Sequence, residues 1–304
     1  MGEKRPINAV DGVHLTLFEG ECFGLVGESG SGKTTLIRTL LGKQPESEGT
    51  IQLTGRDVSR QSPRVARNQR PEIQLLHQDQ TAAFDPWWRI GATLHETLRI
   101  SGMKSAKERQ MRIEEMLAAV DLHPAALRRF PHELSGGQIR RAGLARVLSL
   151  RPRIVLLDEP TAGLDLSVQA NVLKLCRDLQ QRFGLTFLIV SHDLSVVRRI
   201  CDRTAIMYLG RIVEQGPTTQ LFESPRHPYT QILLNSRPSL KHKLKDMPET
   251  GEPPSHGKLP SGCRYSPRCA FAADQCRTTE PASETLGWAS VACHRWRELA
   301  GTAA

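Results

Sequence analysis

Gly27-Glu28-Ser29-Gly30-Ser31-Gly32-Lys33-Thr34 fits the pattern G-x-x-x-x-G-K-[ST] at every position. That spacing wraps a loop of backbone N–H groups around the phosphates of a nucleotide. Glycines let the main chain approach closely because no Cβ intervenes. Lys33 is placed to reach the β- and γ-phosphates, and the Thr34 hydroxyl to ligate Mg2+. The flanks agree with this reading. Cys22-Phe23-Gly24-Leu25-Val26 reads as a short buried strand, and Thr35-Leu36-Ile37-Arg38-Thr39-Leu40-Leu41 as the helix that follows. The N-terminal dipole of that helix then points at the phosphates. A strand, a phosphate loop and a helix in this order predict an α/β nucleotide-binding fold.

The chain of 304 residues is long enough for one large α/β domain and a smaller appendage. Hydrophobic residues make up 39%, a sizeable core. No run of about 18 apolar residues occurs, so no bilayer span is expected. Met1-Gly2-Glu3-Lys4-Arg5-Pro6 lacks the apolar stretch of a secretory signal, which predicts a cytosolic protein or one held at a membrane by partners. The net charge is +9, and arginines gather at positions 128, 129, 140, 141, 146, 151 and 153. A basic surface suits nucleic acid or anionic lipid. No nucleic-acid motif accompanies the charge, so the cluster reads as solvated helix faces and no nucleic-acid partner is expected.

Walking outward, Val13-His14-Leu15-Thr16-Leu17 alternates like a strand before the turn at Glu19-Gly20-Glu21. Ile51–Gly55 and Ile73–Leu76 read as strands, and Ala92–Val120 as charged helix broken at Ser101-Gly102. The continuous apolar runs Arg153–Leu157 and Leu185–Val190 read as buried strands, with an amphipathic helix from Val168 to Arg182 between them. Thr204–Tyr208 and Arg211–Val213 flank Leu209-Gly210 as a hairpin. Residues 237–262, rich in Pro, Gly, Ser and Lys, read as a linker.

Two further motifs carry chemistry. Asp158 and Glu159 end an apolar strand, and ligands of parallel sheets sit at carboxyl ends of strands. Asp158 suits Mg2+ held through water, and Glu159 an attacking water. Leu134-Ser135-Gly136-Gly137-Gln138 opens a helix with a serine and two glycines, a second phosphate-binding turn. Lys33 already serves the γ-phosphate of one nucleotide, so Ser135, Gly136, Gly137 and Gln138 make most sense facing a nucleotide held by another subunit. The plain alternative is a helix cap at Ser135.

These motifs, in this order and spacing, resemble those of the ATP-binding cassette (ABC) ATPases over residues 7–235. The resemblance implies ATP bound by Gly27–Thr35 with Asp158, and catalysis by Glu159, His192 and Gln78. Gln78 matches the glutamine that touches Mg2+ and senses the transport partner, and His192 the histidine that contacts the γ-phosphate. Ala162-Gly163-Leu164-Asp165 is similar to the loop that crosses the dimer interface, with Asp165 retained. The implied fold is a RecA-like core with a helical subdomain near 80–150 and an antiparallel β subdomain, all within residues 1–236. The implied partners are a second cassette, identical or paralogous, closing head to tail around two ATP molecules. The surface near residues 79–89, with Phe84, Trp87 and Trp88, suits contact with a membrane permease. One departure stands out: no aromatic residue lies within Met1–Ala9 to stack on adenine. Either the chain starts upstream or adenine is held differently.

Arg226-His227-Pro228-Tyr229-Thr230-Gln231-Ile232-Leu233-Leu234 and the tail around Cys263, Cys269, Cys276 and Cys293 resemble the ATPases of dipeptide/oligopeptide importers. That narrower resemblance implies a cysteine-rich domain over 263–304 carrying a [4Fe–4S] cluster. It also implies two permease subunits, an extracytoplasmic solute-binding protein, and a peripheral location on the cytoplasmic face of the bacterial inner membrane. From the residues, four thiolates suit zinc or an iron–sulfur cluster, and the C-x2-C pairs usual for structural zinc are absent. Nickel is a rival solute. A non-transport ABC ATPase acting on nucleic acid is the alternative of a different class, and a redox-sensing tail is compatible with transport. Cys22, Cys176 and Cys201 read as inert core residues.

Overall fold

The computed structural model describes residues 8–61, 72–235, 254 and 259–299. Of the expected linker at 237–262, residues 254 and 259–262 are described and the rest lies outside the described residues. The chain divides into two compact units, one of Met1–Thr16, Phe23–Leu36 and Ser191–Ala304, the other of Leu17–Cys22 and Ile37–Val190.

In the first unit, β1 (Cys22–Val26) pairs in parallel with β7 (Arg203–Tyr208). β7 turns at Leu209-Gly210 into β8 (Arg211–Pro217), as the hairpin reading predicts. β8 pairs antiparallel with β10 (Ala289–Val291), and β10 with β9 (Glu284–Leu286). The alternation at Val13–Leu17 makes no strand. Alternating polarity yields a strand only where a neighbouring edge offers hydrogen bonds. Here the Thr16 carbonyl accepts instead from the Arg203 guanidinium at 3.0 Å. Short helices α6 (Leu194–Ile200), α7 (Thr218–Glu223) and α8 (Pro228–Asn235) follow the strands. Tyr208 of β7, Tyr229 of α8 and Tyr265 form an aromatic trio, with ring centroids 4.6, 5.3 and 5.4 Å apart. All three rings are buried, and such tilted and edge-to-face contacts add to area burial.

In the second unit, β4 (Ile73–Leu76), β5 (Ile154–Asp158) and β6 (Thr186–Ser191) run parallel, Leu76 opposite Leu157 and Leu157 opposite Ile189. The continuous apolar runs of β5 and β6 fit strands covered on both faces, whereas β4, interrupted by Gln74, is only half-buried until Leu76. A two-strand hairpin joins β2 (Gln52–Leu53) to β3 (Arg56–Asp57). The charged stretch resolves into α2 (Ile90–Ile100) and α3 (Ala106–Ala119). Each buries a stripe at helical spacing: Ile90, Leu94 and Leu98 on α2, and Ile113, Met116 and Leu117 on α3. The break falls where Gly102 takes φ +102°, and the Ser105 hydroxyl caps α3 by accepting from the Glu108 N–H. α4 (Gly136–Leu148) and α5 (Leu166–Phe183) complete the unit, α5 ending at Gly184 with φ +62°. Among the described residues no helix is long and apolar enough to cross a membrane.

Candidate functional site

β1 delivers the chain to Gly27, and α1 (Lys33–Leu40) starts at the lysine of the motif. Two glycines between them are obligatory. A Cβ on Gly27 would stand 2.2 Å from the Met207 carbonyl oxygen, and one on Gly32, at φ +105°, 2.3 Å from that of Ala9. The Lys33 ammonium curls back into the loop, donating to the carbonyls of Gly27 (2.7 Å) and Glu28 (2.8 Å) and to the Ser31 hydroxyl (3.3 Å). It is thus held at the mouth of the amide-lined turn. Ser31 is buried, while Ser29, Gly30 and Thr34 are exposed. His192 follows the end of β6 and is also exposed. Beside it the Ser191 hydroxyl accepts from the Asp193 N–H at 2.9 Å.

In the second unit Asp158 closes β5 and Glu159 follows at φ +50°. A β-carbon disfavours that left-handed conformation, and such residues concentrate at functional sites. The Glu159 N–H donates to Val190 at 2.9 Å, which holds the residue against the end of β6. Arg140 gathers this region: its guanidinium donates to the carbonyls of Glu159 (3.3 Å), Gln78 (3.3 Å) and Ala162 (3.4 Å). Gln78, predicted at a strand end, lies two residues past β4 with its side chain exposed.

Arg140 corrects the reading of the arginine cluster as solvated helix faces. It is 6% exposed, and burial pulls its pKa down. The signal was present, since Arg140 shares one helical face with Gly143, Leu144 and Val147 at i+3, i+4 and i+7. Arg146 is likewise drawn inward, donating to the Ala83 carbonyl and covering the Phe84 ring at 4.8 Å. Phe84 is therefore core, 2% exposed, whereas Trp87 and Trp88 are 85% and 44% exposed. Truncating Arg140 leaves three carbonyls without this donor, each loss costing on the order of 1–3 kcal/mol if buried. Arg140→Ala should unfold at a clearly lower urea midpoint than Arg140→Lys; equal midpoints would show that the carbonyls find other donors.

Ser135 does cap α4. Its hydroxyl accepts from the Gln138 N–H at 3.3 Å, and the Gln138 side chain accepts in return from the Ser135 N–H at 3.1 Å. The cap does not hide the turn: Ser135, Gly136 and Gln138 are exposed and Gly137 is half-buried. Gly137 and Gly136 leave room for Val168 and Leu164, each 3.4 Å from the Cβ that either would carry. Asp165 caps α5, accepting from the N–H groups of Ser167 and Val168, and its hydrogen bond from the Ser167 hydroxyl lowers its pKa.

Cys22, Cys176 and Cys201 are buried, and burial pushes the Cys176 thiol up to about 12. The four tail cysteines line one small cavity with Phe271, His227 and His294. Burial raises Cys263, Cys269 and Cys293 each to about 11. Among the described residues, no group of three or more His, Cys, Asp or Glu side chains is arranged to hold a metal ion. The geometry of the described residues thus does not by itself show the expected metal site. His294 is engaged elsewhere, with Gln275 at 2.6 Å and the Thr279 carbonyl at 2.9 Å.

Known families match in two stretches, and the first, described as ABC transporter, covers residues 10–162. The chain belongs to the ABC transporter family. The second stretch of this ABC ATPase, residues 213–276, matches the oligopeptide/dipeptide transporter C-terminal region. A Brucella abortus relative named as a peptide import ATP-binding protein is 42% identical over 96% of this chain and 88% of its own. A Brucella ovis relative of the same name is 44% identical over 90% and 87%. Among solved structures, the dimeric cassette MJ0796 in a post-hydrolysis state with ADP and Pi superposes with TM-score 0.64 at 28% identity, over 72% of this chain and 94% of that one. The ABC ATPase described above therefore has the cassette fold, a mixed α/β architecture, and hydrolyses ATP for transport.

Proposed function

We propose that this ABC ATPase drives uptake of di- and oligopeptides through two permease subunits, in a head-to-tail pair with a second cassette. The exposed Ser135–Gln138 turn carries this reading: a capped helix N-terminus with two glycines is an anion site, and its own chain already has a phosphate loop. Gly27–Thr35 and Asp158 hold MgATP, with Thr34, Gln78 and Asp158 around the metal ion. Glu159 orients or deprotonates the attacking water, and His192 contacts the γ-phosphate. Ser135–Gln138 closes on the partner's nucleotide, with Asp165 at the interface. Mg2+ supplies neutralisation of the charge that develops on the phosphates. Trp87 and Trp88, exposed on the chain after Gln78, suit the permease contact. The names of the Brucella relatives support peptide as the solute. Reconstituted with its permeases and binding protein in liposomes, the complex should show ATPase activity stimulated by short peptides. Stimulation by nickel with no response to peptides would reassign the solute.

The finer architecture is a cassette over residues 1–236 with a helical subdomain near 80–150, and a cysteine-rich domain over 263–304. The donor chemistry of that domain fits a [4Fe–4S] cluster. The four cysteines line one cavity, and the sequence lacks the C-x2-C pairs usual for structural zinc. Such a cluster would supply cross-linking of the tail and a one-electron couple, with the four cysteines bound as thiolates. Protein purified without oxygen should contain iron and a visible absorption band that bleaches on reduction, both lost in Cys276→Ser. Zinc without iron would decide for the alternative metal.

A further inference from the structure

The turn between Cys263 and Cys269 carries two arginines: Arg268 reaches the phosphate loop directly, and Arg264 the Leu209-Gly210 turn that packs on it. The Arg268 guanidinium donates to both carboxylate oxygens of Glu28, at 3.1 and 2.9 Å. Its side chain is only 7% exposed, and it lies over the Tyr208 and Tyr265 rings at 5.9 and 5.8 Å. Arg264 donates to the Leu209 carbonyl, and the next N–H, of Gly210, donates to the Ser31 carbonyl at 2.8 Å. The turn itself is tied internally. Ser266 N–H donates to Cys263, Arg268 N–H to Tyr265, and Cys263 N–H to Cys276, at 2.9, 3.0 and 2.8 Å. Glu28 is therefore gripped three ways. Its carboxylate takes Arg268, its N–H donates to the Tyr229 hydroxyl at 3.1 Å, and its carbonyl takes Lys33 at 2.8 Å.

We propose that Arg268 is a positioning residue for ATP, acting through Glu28. It orders the phosphate loop and cancels a carboxylate that would otherwise stand, unpaired, in a loop built to receive phosphate anions. A partly buried ion pair is weakly screened by salt, and removing one member strands the other. The cysteine-bearing turn is thereby wired to nucleotide affinity. A mere structural staple would change stability and leave affinity for MgATP alone.

The two effects separate by mutation. Arg268→Ala loses both order and charge cancellation, whereas Glu28→Gln loses the order but removes the offending charge as well. Calorimetric titration of the full chain with MgATP, with a thermal melt of each variant, reads the difference. Arg268→Ala should weaken MgATP about tenfold, Glu28→Gln about threefold or less, and Arg268→Lys should recover most of the loss. The double variant Arg268→Ala/Glu28→Gln should track Glu28→Gln, since the two sites form one coupled pair. A folded Arg268→Ala protein within twofold of wild type, or additive losses in the double variant, overturns the proposal. Should Arg268→Ala not fold, Arg268→Gln is read by the same criterion. The inference rests on Gly27–Thr34 being the ATP phosphate loop, and Lys33→Ala run in parallel tests that separately. Normal MgATP binding by Lys33→Ala removes the loop assignment; loss there with an unchanged Arg268→Ala removes only the positioning role.

Discussion

Glu159→Gln should bind MgATP with near wild-type affinity and lose turnover by about 10²–10⁴-fold, the usual contribution of a positioned general base. The substitution is nearly isosteric and keeps a polar group at the carboxyl end of β5. The left-handed φ of +50° and the N–H donated to Val190 belong to the main chain, so they survive the change. What disappears is the capacity to take or orient a proton of the attacking water. In the proposed head-to-tail pair, with ATP binding closing the two cassettes and hydrolysis releasing them, the variant should also accumulate as an ATP-bound dimer, seen as a shift in size-exclusion elution with MgATP. Single-turnover hydrolysis at the wild-type rate would take Glu159 out of the reaction.

Lys33→Ala should weaken MgATP by about 10- to 100-fold, as expected for losing a charged hydrogen bond of roughly 1.5–3 kcal/mol, and should abolish measurable ATPase activity. Two losses combine. The nucleotide loses a cation aimed at its terminal phosphates, and the free loop loses the internal tie from Lys33 to Gly27, Glu28 and Ser31. Lys33→Arg is expected to fail too, because a planar fork cannot replace a compact ammonium between these oxygens. Equilibrium titration with MgATP distinguishes lost binding from lost chemistry; unchanged affinity in Lys33→Ala would count against the loop as the phosphate site.

Arg140 and Arg268 show where a linear reading stops. Arg140 reads in the sequence as one of a solvated cluster and Arg268 as no more than part of the tail, yet each is buried against carbonyls or a carboxylate contributed by distant segments. Composition records a charge and cannot say which way the side chain turns. The helical spacing of Arg140 with Gly143, Leu144 and Val147 was a usable signal. Arg268 had none, because its partner Glu28 lies 240 residues away. The tail cysteines illustrate the reverse case. Their crowding predicted one site, and they do line one cavity, but spacing along the chain could not show that no three of their side chains are arranged to hold a metal ion among the described residues.

The sequence by itself determined that Gly27–Thr34 joins a strand to a helix, that Asp158 and Glu159 stand at a strand end, that Ser135 opens a helix, and most of the strands and helices. These depend on local rules: glycine where the backbone must approach, a serine cap, an apolar run for a covered strand. Tertiary structure alone decided that Val13–Leu17 pairs with no strand, that Arg140 binds the backbones of Gln78 and Glu159 together, and that Glu28 is held by Tyr229 and Arg268. Those outcomes depend on which hydrogen-bond partners the fold brings within about 3 Å, the range of a normal hydrogen bond, and no periodicity along the chain encodes that.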